Sequence, residues 1–387
     1  MTTRELDAQY IAHTYGRADI EIASGKGSEV FDEKGRRYID LGSGIAVNVF
    51  GMCDDAWVEA VTNQAKTLPH ASNLYFTAPM AQLAEILCEK SGMKRVFFGN
   101  SGAEANEGAI KAARKYAHDK YGEERGIITL QNSFHGRTIA TLAATGQDSF
   151  HKDFGPFPGG FDYVPAGDID ALKAKFAEAP RAAVMMELVQ GEGGVIALDP
   201  DYVHAVVDLC HENDVLVVID EVQTGNGRTG AYFSYQLYGI EPDIVTTAKA
   251  LAGGLPMGAV LFGEKTKDVL GKGQHGSTFG GNPICAAGAL SVAKRITDEL
   301  LAEVREKAAW VREALAGTPH VLSVTGLGLM IGIETDKKAA DIAAECLKRG
   351  VIVLTAHDRV RLLPALNIPM DVLKKAAEII KNVCAEA

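Results

Sequence analysis

Three short segments contain residues whose types and spacing suit the binding and activation of one small cofactor. In FGNSGAEANE, residues 98–107, Ser101 and Gly102 stand between a predicted strand and a long predicted helix, where backbone N–H groups and the helix dipole favour a bound anion. Asp220 ends the apolar run VLVVID, and a carboxylate in such a cleft needs a cationic partner. Lys249 follows another predicted strand among small uncharged residues, a setting that lowers the pKa of an amine and makes it a nucleophile.

Together these residues predict a site for pyridoxal phosphate (PLP), because that cofactor needs a phosphate cradle, a carboxylate for its ring nitrogen and a lysine for its aldehyde. Lys249 follows Asp220 by 29 residues, enough for one strand–helix–strand step between neighbouring loops. Two simpler interpretations stay open for single residues. Ser101 could be only a helix N-cap in a capping box with Glu104, and Lys249 could be a solvated surface residue.

Residues Gly225–Gly230, GNGRTG, match the G-x-G-x-x-G pattern of dinucleotide-binding loops. Such a loop turns directly from a strand into a helix, with an acidic residue about 20 positions later. Here four residues separate the strand end from the motif, and the next acidic residue, Glu241, comes after 11 positions. We therefore predict no nicotinamide site at this loop.

The composition restricts the class of protein. The 387 residues are 47% hydrophobic and 23% charged, with 41 glycines and 13 prolines, which is typical of globular domains. The net charge of −11 argues against general binding to nucleic acids or anionic membranes. No apolar run reaches the roughly 20 residues of a membrane helix, and the N-terminus lacks the apolar core of a signal peptide. We expect a cytoplasmic protein that acts on small molecules.

The six cysteines, at positions 53, 88, 210, 285, 346 and 384, are scattered along the chain. Their positions include no C-x-x-C pair and no other metal-like spacing. We predict reduced structural thiols, as is usual in the cytoplasm, and no metal site.

Short β-type runs alternate with helical segments through the middle of the chain, which predicts an α/β fold with a mostly parallel sheet. The runs RAAVMMEL and VLVVID are continuously apolar, as strands buried on both faces are. Ligands of such sheets bind at the carboxyl ends of the strands. The seven predicted strands are Lys94–Phe98, Gly126–Leu130, Phe161–Pro165, Arg181–Glu187, Asp214–Asp220, Asp243–Thr246 and Gly258–Phe262.

The last third of the chain changes character and predicts a smaller α+β domain. Predicted helices are Ala103–Lys120, Asp201–Asn213, about Pro283–Leu315 and Asp371–Val383, with further strand segments at Val321–Glu334, Val351–Thr355 and Val360–Leu363. We predict three parts. Residues 1–48 pack with the small domain and contain a hairpin around Glu33–Gly35, residues 49–285 form the large cofactor-binding domain, and residues 286–387 form the small domain.

A series of longer motifs runs along nearly the whole chain. They are TYGR at Tyr15, YIDLGSGIAVN at Tyr38, NSGAEANEGAIKAARKY at Asn100, FHGRT at Phe134, ELVQGEGGV at Glu187, VIDEVQTGNGRTG at Val218, AKALAGGLPMGA at Ala248, HGSTFGGNP at His275 and GLGLMIG at Gly326. By these motifs the sequence resembles the class III (ornithine-type) aminotransferases, and most closely the branch that acts on N-acetylornithine. The resemblance implies PLP fold type I and a homodimer whose subunits share each active site.

The resemblance also implies a role at the cofactor for each matching residue. Lys249 would bond to the aldehyde carbon of the cofactor and then move a proton, while Asp220 would pair with the ring nitrogen. The other implied contacts are Ser101, Gly102 and Ala103 with the phosphate, Thr278 from the second subunit with the same phosphate, Phe134 and Val222 with the two ring faces, and Gln223 with the ring hydroxyl oxygen.

Two arginines would recognise the substrates. The resemblance implies that Arg137, helped by Ser277, binds the α-carboxylate of the amino donor, since a guanidinium suits a carboxylate through bidentate geometry. It implies that Arg361 binds the α-carboxylate of 2-oxoglutarate or glutamate. Glu192 would cover Arg361 in one half-reaction and release it in the other.

The implied activity is transfer of the δ-amino group of N-acetylornithine to 2-oxoglutarate, a step of arginine biosynthesis. Alternatives within the family are aminotransferases that act on succinyl-diaminopimelate, succinylornithine, ornithine or GABA. A glutamate-semialdehyde-type aminomutase is a further alternative that would need no 2-oxoglutarate. Residues Phe50–Asp55 depart from the Gly-His-x-His-Pro common in the family, which removes no residue assigned to the site. His275 is left without a role.

Overall fold

The computed structural model describes residues 1–386, and its strands and helices follow the apolar runs and turn signals of the sequence. The strands are β1 (Ile22–Lys26), β2 (Glu29–Asp32), β3 (Arg37–Asp40), β4 (Arg95–Gly99), β5 (Gly126–Leu130), β6 (Phe161–Val164), β7 (Arg181–Met186), β8 (Val189–Gln190), β9 (Ile196–Ala197), β10 (Leu216–Asp220), β11 (Ile244–Thr247), β12 (Gly258–Phe262), β13 (Val321–Leu327), β14 (Met330–Thr335), β15 (Val351–Ile352), β16 (Leu354–Ala356) and β17 (Arg359–Leu362).

The helices lie between these strands and at both ends of the chain. They are α1 (Thr3–Tyr10), the irregular α2 (Ser43–Ala46), α3 (Asp55–Thr67), α4 (Ala78–Ser91), α5 (Gly102–Tyr121), α6 (Ile139–Ala144), α7 (Asp148–His151), α8 (Ile169–Glu178), α9 (Pro200–Glu212), α10 (Tyr235–Tyr238), α11 (Pro283–Ala293), α12 (Asp298–Leu315), α13 (Ala339–Lys348) and α14 (Met370–Glu386), with a 3-10 turn at Lys249–Ala252. Within the described residues no helix is both long and apolar enough to cross a membrane.

The central sheet has seven strands in the order β4-β12-β11-β10-β7-β5-β6. Strand β12 is antiparallel to both of its neighbours, and all other pairs are parallel. Every residue of β7 and β10 is buried, as expected for parallel strands covered on both faces. The seven predicted strands and the α/β fold class are thereby confirmed.

The sheet brings the predicted site residues to one edge. Strands β4, β5, β7, β10 and β11 run in the same direction, so their carboxyl ends meet there. Ser101 follows β4, Phe134 follows β5, Glu187 follows β7, Asp220 ends β10 and Lys249 follows β11. Residues scattered over about 150 positions of the chain thus converge because the strand directions agree.

Two smaller sheets involve the two ends of the chain. Strands β1, β2, β3 and β15 form one sheet, in which β3 pairs with β15, so the N-terminal segment packs against the C-terminal third. Strands β13, β14, β17 and β16 form the other. The hairpin predicted around Glu33–Gly35 joins β2 to β3 and is confirmed, with the N–H of Gly35 bonded to the carbonyl of Asp32. The division at residues 48 and 285 stays a prediction.

The single helix predicted at about Pro283–Leu315 is wrong. The chain forms two helices there, α11 and α12, separated at residues 294–297. The second helix has its own N-cap, because the hydroxyl of Thr297 accepts the N–H of Leu300 at 3.3 Å. A threonine that offers such a bond stabilises a new helix start rather than the continuation of the old one.

Candidate active site

A cavity of about 490 Å³ opens at the carboxyl edge of the central sheet. Nine of the residues predicted for the site line it, namely Ser101, Gly102, Ala103, Phe134, Arg137, Asp220, Val222, Gln223 and Lys249. The structure therefore brings together most of the predicted cofactor contacts, which lie up to 148 positions apart in the chain.

The start of helix α5 forms one wall of the cavity. The hydroxyl of Ser101 accepts the N–H of Glu104 at 3.1 Å, so Ser101 is a helix N-cap as the simpler interpretation had it. The carboxylate of Glu104 bonds the N–H of Asn100 instead of completing a capping box on Ser101. The N–H groups of Gly102 and Ala103 precede the first intrahelical bonds and lie at the cavity wall. They provide the positive helix end that suits a phosphate.

Close packing leaves no space for a side chain at two glycines of this wall. A β-carbon on Gly102 would lie 2.6 Å from the Cγ1 of Val222, and one on Gly258 would lie 2.1 Å from the carbonyl oxygen of Ser101. Both distances are below van der Waals contact, so larger residues would push the helix start away from β10 and β12. These glycines hold the N–H groups of the helix close to the Asp220 loop.

Asp220 is buried at the base of the cavity and accepts three hydrogen bonds. Its Oδ1 accepts the N–H of Val222 at 2.9 Å, and its Oδ2 lies 2.7 Å from Asn106 Nδ2 and 2.8 Å from His135 Nδ1. Burial acts to lower the pKa of His135, but the hydrogen bond and charge of Asp220 outweigh burial and raise it. The carboxylate is thus surrounded by donors on its protein side.

Lys249 carries the only amine of the cavity lining and has an unusual backbone. Its φ of 44° lies in the left-handed region, where residues with a β-carbon are strained. Burial lowers the pKa of Lys249, although the carboxylates of Asp220, Glu192 and Glu187 oppose this effect. A lowered pKa leaves more of the amine unprotonated, which is the form that attacks a carbonyl carbon.

Glu187 is a buried acid of the cavity to which the sequence analysis gave no role. One of its oxygens accepts the N–H of Phe134 at 3.1 Å, and the other lies 3.4 Å from the N–H of Gly191. Burial raises the pKa of Glu187 from 4.5 to about 7, against the opposing charge of His135. Glu187 therefore connects the aromatic wall of the cavity to the loop that carries Glu192.

The stability of the protein is expected to fall between pH 5 and pH 8 partly because of Glu187. A carboxyl group whose folded pKa exceeds its unfolded value stabilises the fold below the unfolded pKa and loses that contribution as the pH rises through the folded pKa. For Glu187 the loss is on the order of 3 kcal/mol. His135, whose pKa is also raised, contributes a change of the same sign.

Glu187→Gln should flatten this pH dependence, because glutamine mimics the protonated carboxyl. The measurement is the urea midpoint of unfolding at pH 5 and pH 8 for the wild type, for Glu187→Gln and for Glu212→Gln, a control at an exposed end of α9. Equal pH profiles for the wild type and Glu187→Gln would contradict the assignment to Glu187.

Arg361 and Glu192 form an ion pair beside the cavity. Arg361 Nη1 lies 2.6 Å from Glu192 Oε1 and 3.3 Å from Gln223 Oε1. Arg361 is only 4% exposed, whereas Glu192 is 30% exposed and lies in the loop between β8 and β9. The Nε of Arg361 is buried without a partner among residues 1–386. The pair can therefore open by movement of Glu192 alone, leaving a guanidinium with free donors.

Arg137 is placed differently from Arg361. It is exposed, and its guanidinium lies 5.4 Å from the ring centre of Phe134 and 4.3 Å from that of Phe150. In the part of the chain that the structure describes, it forms no ion pair with a carboxylate. Arg137 thus presents an uncompensated positive charge at the cavity wall, held against aromatic faces.

Ser277 and Thr278 lie outside this cavity within one chain. The hydroxyl of Ser277 accepts Asn100 Nδ2 and the N–H of Gly280, both at 3.0 Å. Thr278 is exposed to solvent. The structure of one chain does not bring Ser277 to Arg137, so the predicted cooperation of these two residues stays a prediction that needs a second subunit.

Sequence reasoning missed Asn106 and Glu187. Asn106 lies in the motif NSGAEANE, but an asparagine inside a predicted helix was not treated as a site residue. Its position gives a signal, because asparagine disfavours the helix interior and needs a compensating contact. Glu187 directly follows the buried strand β7, and Asp220 is the last residue of the buried strand β10, so the same reasoning applies to both.

The chain is similar to known proteins along nearly its whole length. The sequence pattern of the family "Aminotransferase class-III" matches residues 10–384. The acetylornithine aminotransferase of Haemophilus ducreyi is 52% identical over 99% of this chain and 98% of its own length. That of Bacillus subtilis is 44% identical over 96% and 97%.

Solved structures show the same relationship. The N-acetylornithine aminotransferase from Stenotrophomonas maltophilia superposes with a TM-score of 0.85 at 35% identity, covering 99% of this chain and 98% of that one. The ornithine aminotransferase from Toxoplasma gondii gives a TM-score of 0.95 at 30% identity, covering 99% and 94%. The chain is an aminotransferase and belongs to the class-III aminotransferase family.

Proposed function

We propose that this enzyme transfers the δ-amino group of N-acetyl-L-ornithine to 2-oxoglutarate, giving N-acetyl-L-glutamate 5-semialdehyde and L-glutamate, with PLP as its cofactor. The reaction belongs to arginine biosynthesis. Several relatives at 44–52% identity over nearly the full length have the name acetylornithine aminotransferase. We place the reaction in the cytoplasm, and the six free cysteines are consistent with a reducing compartment.

The residues of the cavity fit PLP. The cradle at Gly102 is too tight for a side chain but open to an anion at the helix N-terminus. The Asp220 carboxylate suits a protonated ring nitrogen, and Phe134 and Val222 supply apolar contacts for a flat ring. Gln223 lines the same cavity and would supply an amide for a ring oxygen. When bound, PLP supplies an electrophilic aldehyde and an electron-withdrawing ring.

Lys249 and Asp220 have different roles in amino transfer. Lys249, with its lowered pKa, acts first as a nucleophile and then as the base that removes a proton from the δ-carbon of the donor. Asp220 would offer its carboxylate to the ring nitrogen. Asp220 is 3% exposed and Lys249 is half-buried, so contact of both groups with water is limited, which strengthens their interaction with charge that develops during the reaction.

The contrast between the two arginines is the observation that carries the proposal. The single carboxylate of N-acetylornithine lies about five bonds from the reacting amine. Arg137 offers this carboxylate a guanidinium that is not paired with an acidic residue. 2-Oxoglutarate reacts next to one carboxylate, and Arg361 can bind that carboxylate once Glu192 moves away. With Glu192 in place, the charge of Arg361 is neutralised and an uncharged methylene chain can lie beside it.

A second copy of the chain would complete the site. Large apolar side chains are exposed at Leu74, Tyr75, Phe76 and Phe279. Asn73 Nδ2 bonds the carbonyls of Ser277 and Gly280, so the two exposed segments form one surface next to Thr278. We propose that this surface is a homodimer interface that delivers Thr278 to the phosphate of the neighbouring subunit. A single-chain mass in solution would contradict it.

The test follows the visible absorption band of the purified holoenzyme. We expect N-acetylornithine to remove the band and 2-oxoglutarate to restore it, while ornithine and GABA at equal concentration act more slowly. Glutamate followed by 2-oxoglutarate controls for the second half-reaction. Faster loss of the band with ornithine or GABA would contradict the substrate, and activity without 2-oxoglutarate would favour an aminomutase. A protein that shows no band after PLP is added would contradict the whole proposal.

A further inference from the structure

Asn106 joins three elements at the base of the cavity. It lies in the interior of helix α5 and is 1% exposed. Its Nδ2 lies 2.7 Å from Asp220 Oδ2 at the end of β10 and 2.7 Å from the carbonyl oxygen of His135. Its Oδ1 accepts the hydroxyl of Thr246 in β11 at 2.6 Å. All the hydrogen-bonding groups of this amide are therefore used.

These contacts determine which way the amide points. A carboxylate and a carbonyl oxygen can only accept hydrogen bonds, so the NH₂ group must face Asp220 and His135. The opposite orientation would place Oδ1 against two acceptors. The hydroxyl of Thr246 reinforces the observed orientation by donating to Oδ1. Asn106 thus presents a neutral donor, with no proton to lose, to the carboxylate of Asp220.

The donors around Asp220 leave little of its carboxylate free. A carboxylate offers about four lone-pair sites. Three are taken by the N–H of Val222, Nδ1 of His135 and Nδ2 of Asn106. The remaining site is available to a group in the cavity, which Asp220 lines. The direction of that site depends on the donors that hold the other three.

We infer that Asn106 is a positioning residue that orients Asp220 toward the ring nitrogen of the cofactor. The inference rests on the proposed function, since it presumes that PLP occupies the cavity. Asn106 contributes to cofactor binding through Asp220, because the hydrogen bonds of its side chain go to Asp220, His135 and Thr246 and not to the phosphate cradle or Lys249. An asparagine in a helix interior has a low helix propensity, and its hydrogen bond to Asp220 compensates for that cost.

The test compares two cofactors that differ at one atom. The first is PLP, and the second is its analogue in which the ring nitrogen is replaced by C–H, so that Asp220 has no cationic partner. Dissociation constants for the apoenzyme are measured by titration in the wild type, in Asn106→Leu and in Asn106→Asp. Asn106→Asp keeps the size of the side chain but places a second carboxylate against Asp220, and two such groups cannot both ionise.

We expect both variants to bind PLP about 10- to 100-fold more weakly than the wild type, the usual range for loss of a hydrogen bond to a charged group. The analogue should bind the wild type and both variants within about 3-fold. Thr246→Val, which removes only the bond to Oδ1, should weaken PLP binding by a smaller factor. This pattern would support the inference.

Two results would overturn it. Equal weakening of the binding of PLP and of the analogue would mean that Asn106 only maintains the local structure. Unchanged PLP binding in both variants would mean that Asn106 does not orient Asp220. Failure of the wild type to bind PLP would instead overturn the proposed cofactor, and the inference with it. Far-UV circular dichroism of each apoenzyme identifies a misfolded variant. If Asn106→Leu is misfolded, the comparison is made with Asn106→Asp alone.

Discussion

Lys249→Ala is expected to lower turnover by about 10⁴-fold or more while PLP remains bound without a covalent bond. The alanine removes the only amine among the residues that line the cavity. It leaves in place the groups proposed to hold the phosphate and the ring nitrogen. No other side chain of the lining combines nucleophilic character with a lowered pKa, so both the nucleophile and the base are lost together.

Two measurements separate a chemical loss from a structural one. The content of PLP after gel filtration should stay near one per chain, because the phosphate cradle and Asp220 are unchanged. Small primary amines added to Lys249→Ala should restore part of the activity, since the truncated side chain leaves space for an external base. Lys294→Ala, at the exposed end of α11, is the matched control and should keep full activity.

Retention of full activity by Lys249→Ala would remove the chemical role of this lysine. Loss of PLP from the variant, with no effect of added amines, would instead show that Lys249 mainly retains the cofactor. The strained backbone at Lys249 is the same for alanine, because both residues have a β-carbon. The substitution therefore changes the chemistry of the side chain and leaves the backbone strain as it is.

The convergence of the site was predictable because it depends on strand direction. Two of the predicted strands are continuous apolar runs, which indicates a parallel sheet, and parallel strands bring the residues at their carboxyl ends to one edge. Asp220 and Lys249 could therefore be placed together from the order of the elements alone. The same reasoning did not separate the two helices at residues 283–315, because the sequence is helix-forming on both sides of the break. The start of the second helix is marked by a single side-chain hydrogen bond, from the N–H of Leu300 to Thr297.

Contacts between distant segments could not be predicted from local patterns. Asn106 bonds Asp220, which lies 114 positions later; an asparagine in a helix interior indicates a compensating contact, but nothing near Asn106 in the chain identifies Asp220 as the partner. The distance of 2.6 Å between Arg361 and Glu192 also depends on how β17 packs against the β8–β9 loop. The pairing itself was implied by resemblance to a family, whereas its geometry and the low exposure of Arg361 required the structure.

Arg137→Ala and Arg361→Ala are expected to affect opposite half-reactions. Arg137→Ala should lower kcat/KM for N-acetylornithine by about 10²- to 10³-fold, because the carboxylate of this substrate loses its charged partner. The same substitution should change kcat/KM for 2-oxoglutarate little. Arg361→Ala should lower kcat/KM for 2-oxoglutarate by a similar factor and change kcat/KM for N-acetylornithine little. The physical reason is that Arg137 is free of carboxylates, whereas Arg361 is available only after Glu192 leaves.

The measurement is the rate of each half-reaction, followed by the absorbance of the bound cofactor at several concentrations of one substrate at a time. Arg349→Ala is the control, because Arg349 pairs with Glu345 at 3.1 Å and does not line the cavity. It should change neither half-reaction by more than about 3-fold. Because Arg361→Ala leaves the Glu192 carboxylate without its partner, the unpaired negative charge beside the cavity should also slow the donor half-reaction slightly.

Equal losses in both half-reactions for either arginine would contradict the division between the two carboxylate sites. Glu192→Gln then distinguishes the reason for such a result. If Glu192 neutralises Arg361 while the donor is bound, Glu192→Gln should slow the reaction with N-acetylornithine and leave that with 2-oxoglutarate unchanged, since only the first needs Arg361 to be covered. If the ion pair is only structural, Glu192→Gln should affect both half-reactions to the same degree.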